Sequence, residues 1–413
     1  MAGALSTGAA HDAADTTVPN RVPNRVPDRV AATRPRVLFV SHTGTMSGAE
    51  LVLRDVVRPW AGSTAFLFEG GPLADALRNA GLTIRLARRG ADLTRLRRDV
   101  SPLRALPVLG RLAGLALELG RAARACDVVY ANSQKAFLLA ALPARLVGRP
   151  LVWHLHDILD GAHFGRAQRA VQARLANACA ARVVVPSRAA AEAFVQAGGR
   201  RDRVTVVPNG LDLILDPRPA ADLRAELGLP SGPLVGVFSR LAPWKGQDVV
   251  IEALALVPGL RCVVVGSALF GEDAYAARLR ELAAARGLTD RVLFLGQRDD
   301  VPRLMQAVDA VVHPSVDPEP FGRTLVEAML AGVPVVATDA GASAEILEGG
   351  ALGTLVPPRR PDRIAAALTA ILAHPDDLAA RTRRARERAL TRYGAARMQD
   401  DLATLIRQVA ARV

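Results

Sequence analysis

Short, nearly continuous apolar runs alternate with longer amphipathic stretches from Val37 to Val356, and the alternation stops only once. The runs Val37–Ser41, Ala65–Glu69, Thr83–Ala87, Val128–Asn132, Leu151–Asp157, Arg182–Ser187 and Thr205–Pro208 read as strands buried on both faces. Helix-length segments separate them, which is the pattern of one doubly wound parallel sheet. Between Asn209 and Pro233 the chain carries Asn-Gly-Leu-Asp, Asp-Pro-Arg-Pro and Pro-Ser-Gly-Pro around one short helical segment near Ala221–Leu227. That stretch is a linker. Alternation restarts at Leu234–Ser239 and continues through Cys262–Gly266, Val292–Gly296, Ala310–His313, Val335–Thr338 and Thr354–Val356. The fold class is α/β, with two Rossmann-like domains of doubly wound parallel sheet facing a deep interdomain cleft. A length of 413 residues suits two cores. The expected boundaries are a leader at 1–35, a first domain at 36–208, and a linker with a second domain at 209–392.

The leader repeats Val-Pro-Asn-Arg twice from Val18 and then reads Val-Pro-Asp-Arg; proline at every fourth position blocks helix and sheet pairing, so disorder is expected. Residues 36–208 hold 25 basic and 12 acidic residues, whereas residues 209–413 hold 24 and 25, so the charge excess lies in the first half. Ten arginines fall between Arg85 and Arg124. Such a field attracts phosphates or an anionic lipid surface. Aromatic residues make up 4% of the chain, too few for a base-stacking platform, and no nucleic-acid motif is present. The most apolar stretch, Val108 to Leu119, is interrupted by Arg111 and Glu118 and falls short of a membrane span. Cys126, Cys179 and Cys262 have neither metal-ligand nor disulfide spacing, so buried free thiols in a reducing cytoplasm are expected.

Four segments carry chemistry. Glu319-Pro-Phe-Gly-Arg-Thr-Leu-Val-Glu327 follows the apolar run Ala310-Val-Val-His-Pro-Ser315 and leads into a small-residue helix. Glu319 is therefore expected on a loop at the carboxyl end of a strand, where open α/β sheets bind ligands, with Glu327 about one turn inside the helix. The free N–H groups at that helix start suit a phosphate. Phe238-Ser-Arg240-Leu-Ala-Pro-Trp-Lys245-Gly246 places two cations on a strand-end loop, where they suit a diphosphate. Lys245 is one of two lysines against 51 arginines. Trp153-His154-Leu-His156-Asp157 ends a strand, with His154 and His156 on one side of it and His156 nearer the cleft. Ser41-His-Thr-Gly44-Thr-Met-Ser-Gly48-Ala-Glu50 brings glycine backbone to a helix start.

Together these segments resemble the retaining glycosyltransferases of family 4, whose fold is GT-B. The longest match is Pro-Ser-x3-Glu-Pro-Phe-Gly-x3-Val-Glu-Ala-Met-x-Ala-Gly-x-Pro-Val-Val-Ala, which contains the E-x7-E motif of Glu319 and Glu327. Gly-Arg-Leu-x3-Lys-Gly is met except for Ser239, and Gly-Gly-Ala-Glu except for Ser47. Pro208-Asn209-Gly210-Leu211-Asp212 resembles the Pro-Asn-Gly-Val-Asp segment at the interdomain crossing. The resemblance runs from about residue 36 to residue 392. It implies a last helix, 393–413, crossing back to the first domain. It also implies transfer of a hexose, with retention, from a UDP- or GDP-linked nucleotide-sugar to a glycan or polyprenyl-diphosphate-linked or other lipid acceptor. Arg240 and Lys245 are then expected to neutralise the leaving diphosphate. Glu319 holds the donor sugar, Glu327 holds the ribose, and His156 positions the sugar. Gly48, Gln297, Arg298, Phe321, Gly322 and Leu325 complete the donor set. No cofactor and no metal is expected. The expected location is cytoplasmic, peripheral at the inner face of the plasma membrane. A nucleotide-sugar 2-epimerase and a non-catalytic GT-B partner subunit are the alternatives.

Overall fold

The computed structural model describes residues 34–88, 105–269 and 271–412. The expected leader lies outside the described residues except for Arg34 and Pro35, as do residues 89–104 of the arginine-rich stretch. Seven strands form the first sheet: β1 (Val37–Ser41), β2 (Thr64–Leu67), β3 (Thr83–Leu86), β4 (Val128–Ala131), β5 (Leu151–His154), β6 (Ala180–Val185) and β7 (Val204–Val206). Six form the second: β8 (Leu234–Phe238), β9 (Arg261–Val265), β10 (Val292–Gly296), β11 (Ala310–His313), β12 (Val335–Thr338) and β13 (Thr354–Val356). Every pairing is parallel. Each of the thirteen apolar runs read from the sequence overlaps one of these strands; β1, β4, β5, β8, β11 and β12 are buried along their whole length, whereas β3, expected to be buried on both faces, lies at the sheet edge and is largely exposed.

The strand orders are β3-β2-β1-β4-β5-β6-β7 and β10-β9-β8-β11-β12-β13. Each order reverses at its centre, between β1 and β4 in one sheet and between β8 and β11 in the other. Crossover connections on either side of such a point leave opposite faces of the sheet, which opens a crevice beyond the carboxyl ends of the two central strands. The four chemistry-bearing segments leave β1, β5, β8 and β11, at or beside these two points, whereas Pro208–Asp212 and Gln297–Arg298 follow the edge strands β7 and β10.

Helices bury apolar side chains on both faces of each sheet. The last helix, Ala395–Ala410, seats Met398, Leu402, Leu405, Ile406 and Val409 with Val37, Phe39, Val52 and Val56 in the core of the first sheet. At roughly 1.5–3 kcal/mol for each large apolar side chain buried, this helix ties the chain end firmly to its beginning. The crossing segment meets it there: Leu211 N donates to Tyr393 O at 2.9 Å and Ala395 N to Asp212 Oδ1 at 3.2 Å. No described helix is long and apolar enough to cross a membrane. Cys126 and Cys262 are buried, Cys179 is partly so, and all three are free thiols.

Candidate active site

A cavity of about 900 Å³ lies between the carboxyl ends of the two sheets. Its first-sheet wall carries His42, Ser47, Gly48, Asn132, His156 and Asp157; its second-sheet wall carries Arg240, Lys245, Gln297, Arg298, Glu319 and Glu327.

Topology explains the second wall. Arg240 and Lys245 follow β8, and Glu319 and Glu327 follow β11, its neighbour at the reversal. The chain after β8 turns through Pro243–Lys245 and reaches Gly246 at φ +69°. A Cβ there would stand 2.2 Å from Pro314 O, so glycine lets the loop press against the exit of β11. Gly341 serves the other side in the same way: at φ +63° its backbone bridges Glu319, with no room for a Cβ. Glu319 is thus fixed from two directions.

Lys245 Nζ donates to Glu319 Oε1 at 2.6 Å, and His313 Nε2 stands 3.0 Å from the same oxygen. Ser315 Oγ also donates to it, and Thr338 Oγ1 holds Ser315 O at 2.6 Å. Burial works against the charge of Glu319, but Lys245 and His313 outweigh it and hold the carboxyl well below its usual range. Trp244 underlies both cations, with Lys245 Nζ 4.2 Å and the Arg240 guanidinium 5.3 Å from its ring centre. Glu327 accepts from Arg323 Nε at 2.8 Å on the helix Arg323–Ala331. Arg298 is forked onto Asp300 at 2.8 and 2.6 Å, and Gln297 lies beside it on the cavity wall. Phe321 is on the wall, with its ring edge-on to Tyr393. Gly322 and Leu325 are not. Gly322 caps the helix at φ +80°, and Leu325 is fully buried in the core, its N–H bonded to Gly322 O.

On the first-sheet wall β5 ends at His154, shorter than the run read from the sequence, and the chain turns so that His156 reaches the cavity. Asn132 Nδ2 donates to Ala49 O at 3.2 Å, which directs Oδ1 toward His156 Nε2 at 3.0 Å. Burial pushes the His156 imidazole down to about 3, so the ring is neutral near pH 7. Its proton is therefore on Nε2, and Nδ1 carries a lone pair that accepts a hydrogen bond. His154 is fully buried and meets Tyr130 Oη at 2.5 Å, a core pairing. Gly48 opens the helix Gly48–Val57 behind Ser47, whose hydroxyl meets Glu50. Burial raises the Glu50 carboxyl and, less completely at an exposed side chain facing the cavity, that of Asp157 against the opposing charges of His163 and Arg240.

Sequence reading passed over His313, Ser315, Trp244, His163 and Arg323. Trp244 had a signal: it is one of three tryptophans in the chain and sits between the two clamp cations. His163 meets its ring edge-on across the cleft, with centroids 5.8 Å apart. Arg323 stands four residues before Glu327 on one helix face, a readable ion-pair spacing.

Known proteins match both halves of the chain. The family described as "Glycosyl transferases group 1" matches residues 220–388, and "Glycosyltransferase Family 4" matches residues 72–214. The crystal structure of Anabaena HepE in complex with UDP-glucose is 36% identical, with a TM-score of 0.81 over 91% of this chain and 100% of that one. Sucrose-phosphate synthase from Thermosynechococcus elongatus, at 21% identity and a TM-score of 0.77 over 92% of this chain and 100% of its own, shares the fold. The D-inositol 3-phosphate glycosyltransferase of Mycobacterium marinum is 37% identical over 41% of this chain and 37% of its own length. The lipopolysaccharide core biosynthesis mannosyltransferase LpsB of Rhizobium meliloti is 37% identical over 35% of this chain and 43% of its own. The chain spans half or less of the length of the curated relatives it matches.

Proposed function

The chain belongs to glycosyltransferase family 4, of GT-B fold, and from that premise we propose a retaining hexosyltransferase that draws on a nucleotide-sugar and serves a glycan or lipid-linked acceptor in cell-surface polysaccharide or glycolipid synthesis. The observation that carries this reading is the convergence of Arg240, Lys245, Glu319 and Glu327 on one wall of a cavity whose other wall presents His156. Two cations, one carboxylate held charged and a second one turn inside the helix match a diphosphate flanked by a sugar and a ribose. UDP-glucose is the favoured donor, because HepE is similar over nearly the whole chain and its crystals hold UDP-glucose.

In this reading Arg240 and Lys245 neutralise charge as the sugar–phosphate bond breaks, and the leaving diphosphate takes the acceptor's proton. Preorganised charge of this kind is commonly the largest single contribution to catalysis. Glu319 accepts hydrogen bonds from donor sugar hydroxyls, and Glu327 accepts from the ribose. Neutral His156 accepts one sugar hydroxyl through Nδ1, so its contribution is orientation rather than positive charge.

The His156 assignment has a pH signature. The folded ring titrates at about 3, below its ordinary 6.5, so the unfolded chain binds the extra proton first. Stability is present above pH 6.5 and drains as pH falls from there toward 3. His42, pushed by burial to about 4, adds to the same loss, while the raised Glu50 and Asp157 oppose it. A His156→Gln variant is expected to lose less melting temperature than wild type between pH 6.5 and 4. An unchanged slope contradicts a buried neutral ring.

The acceptor side favours a membrane. Leu138, Leu142 and Leu146 stand exposed along one face of the helix Gln134–Leu146, with Lys135 and Arg145 exposed at its ends. Ser133, which caps this helix, is on the cavity wall, so the leucine face starts beside the cleft mouth. In this reading the enzyme works at the inner face of the plasma membrane, with this surface against anionic lipid. Each cation near such a surface contributes about 1 kcal/mol, screened by salt. One experiment tests donor and acceptor together: UDP- and GDP-sugars are incubated with and without anionic vesicles carrying a lipid extract. The expected result is glycolipid formed from UDP-glucose, with the enzyme co-sedimenting at low salt and released at high salt. Donor conversion without any acceptor supports an epimerase instead. Indifference to vesicles removes the membrane assignment.

A further inference from the structure

Asp55 is buried on the helix Gly48–Val57 of the first-sheet domain, with a side chain 2% exposed. Three guanidinium groups face it. Arg54 and Arg58, from its own helix and the turn after it, each donate at 3.0 Å. The third belongs to the other domain: Arg323 Nη1 stands 3.8 Å from Asp55 Oδ2. Nε of the same guanidinium donates to Glu327 Oε1 at 2.8 Å. Arg323 Nη1 is itself buried and makes no hydrogen bond among the described residues. One planar, rigid group therefore joins the cavity carboxylate of the second domain to a buried carboxylate of the first. Two further attachments fix Asp55 in place. Gln399, on the last helix, donates to Asp55 O at 2.7 Å, and Arg58 reaches Asp212 of the crossing segment at 3.5 Å. Asp55 is thus held by its own domain, and Arg323 is the second domain's contact with its carboxylate.

We propose that Arg323 is a positioning residue that couples nucleotide binding by the second domain to the first domain through Asp55. The proposal rests on the assignment of Glu327 to the ribose. With Nε on Oε1, Arg323 orients the Glu327 carboxylate and leaves Oε2 to the ligand. A guanidinium hydrogen-bonded to Glu327 and held by charge toward Asp55 keeps that orientation only while the first domain keeps Asp55 within reach. By reciprocity, a nucleotide that engages Glu327 favours the arrangement in which Arg323 and Asp55 meet. Lysine reproduces the charge toward Asp55 but cannot grip both carboxylates, because it lacks the fork.

Calorimetric titration of UDP into wild type, Glu327→Gln, Arg323→Gln, Asp55→Asn and the Asp55→Asn/Arg323→Gln double variant tests the coupling. Arg323→Gln is expected to weaken UDP about fivefold and to raise donor KM by more than it lowers kcat at saturating donor. Asp55→Asn is expected to weaken UDP as well, and the double variant no more than Arg323→Gln alone, since one link is cut twice. Arg323→Lys is expected to recover part of the loss. If Asp55→Asn does not fold, Asp55→Glu replaces it, and it is expected to change UDP affinity in the wild-type background but not beside Arg323→Gln. Independent, multiplying losses overturn the proposal. So does wild-type affinity in the folded Asp55 variant, provided Glu327→Gln weakens UDP. If Glu327→Gln itself binds UDP as wild type does, the ribose assignment fails, and the coupling with it.

Discussion

Lys245→Ala is expected to lower turnover at saturating donor by two to three decades, about 2–4 kcal/mol of transition-state stabilisation by analogy with removing one oxyanion-type donor. Lys245 Nζ lies against Glu319 and over Trp244, so it is already positioned where a diphosphate would replace part of the carboxylate's claim on it. Alanine also removes the opposing charge that does most to keep Glu319 ionised against burial. The carboxyl then rises from its depressed value. A group held below its ordinary pKa stabilises the fold above that value and loses the contribution as pH falls through the depressed one. The variant is therefore expected to have a shallower acid-side loss of stability than wild type. Thermal melts between pH 3 and 7, run beside single-turnover rates, separate the two effects. Near-wild-type turnover removes the clamp assignment whatever the melts show.

Much of this was legible in the sequence because it depends on local chemistry. Strands buried on both faces must be apolar throughout, and the central strands β1, β4, β5, β8, β11 and β12 announce themselves that way. The link between Lys245 and Glu319 spans 74 residues, yet both ends were readable, since each follows a strand in its own motif. The sequence motif did not show that the two touch. That follows from β8 and β11 being neighbours, a matter of strand order that no local window records. His313 is an instance of the same limit. At the end of an apolar run it reads as a core residue, and only the return of the chain at Glu319 gives it a charged neighbour. Asp55 and Arg323 are farther apart still, in different domains, and their approach depends on how the two sheets face each other. Leu325 shows the converse: it falls inside a binding motif, but helix periodicity turns it to the core while Glu327 stays on the cavity wall.

Glu319→Gln is expected to damage stability and turnover together, which distinguishes it from a change at an exposed donor ligand. Glutamine keeps the shape but not the charge. Lys245 is left 12% exposed without its anion, and removing one partner of a buried ion pair costs about 3–5 kcal/mol. The amide also cannot accept from Lys245 and Ser315 as a carboxylate does, and its NH2 group faces donors if it is turned toward them. A fall in melting temperature is expected, with rates at saturating donor reduced at temperatures well below the melt. Bound UDP supplies phosphate to Lys245 in place of the lost carboxylate, so the variant is expected to gain more melting temperature from UDP than wild type does. The two roles of Glu319 then separate. UDP restores the charge balance around Lys245, but it brings no sugar, so turnover stays low. If UDP stabilises the variant and wild type equally, Lys245 does not pass from carboxylate to phosphate. If turnover at low temperature is unaffected, Glu319 holds the clamp in place without holding the sugar.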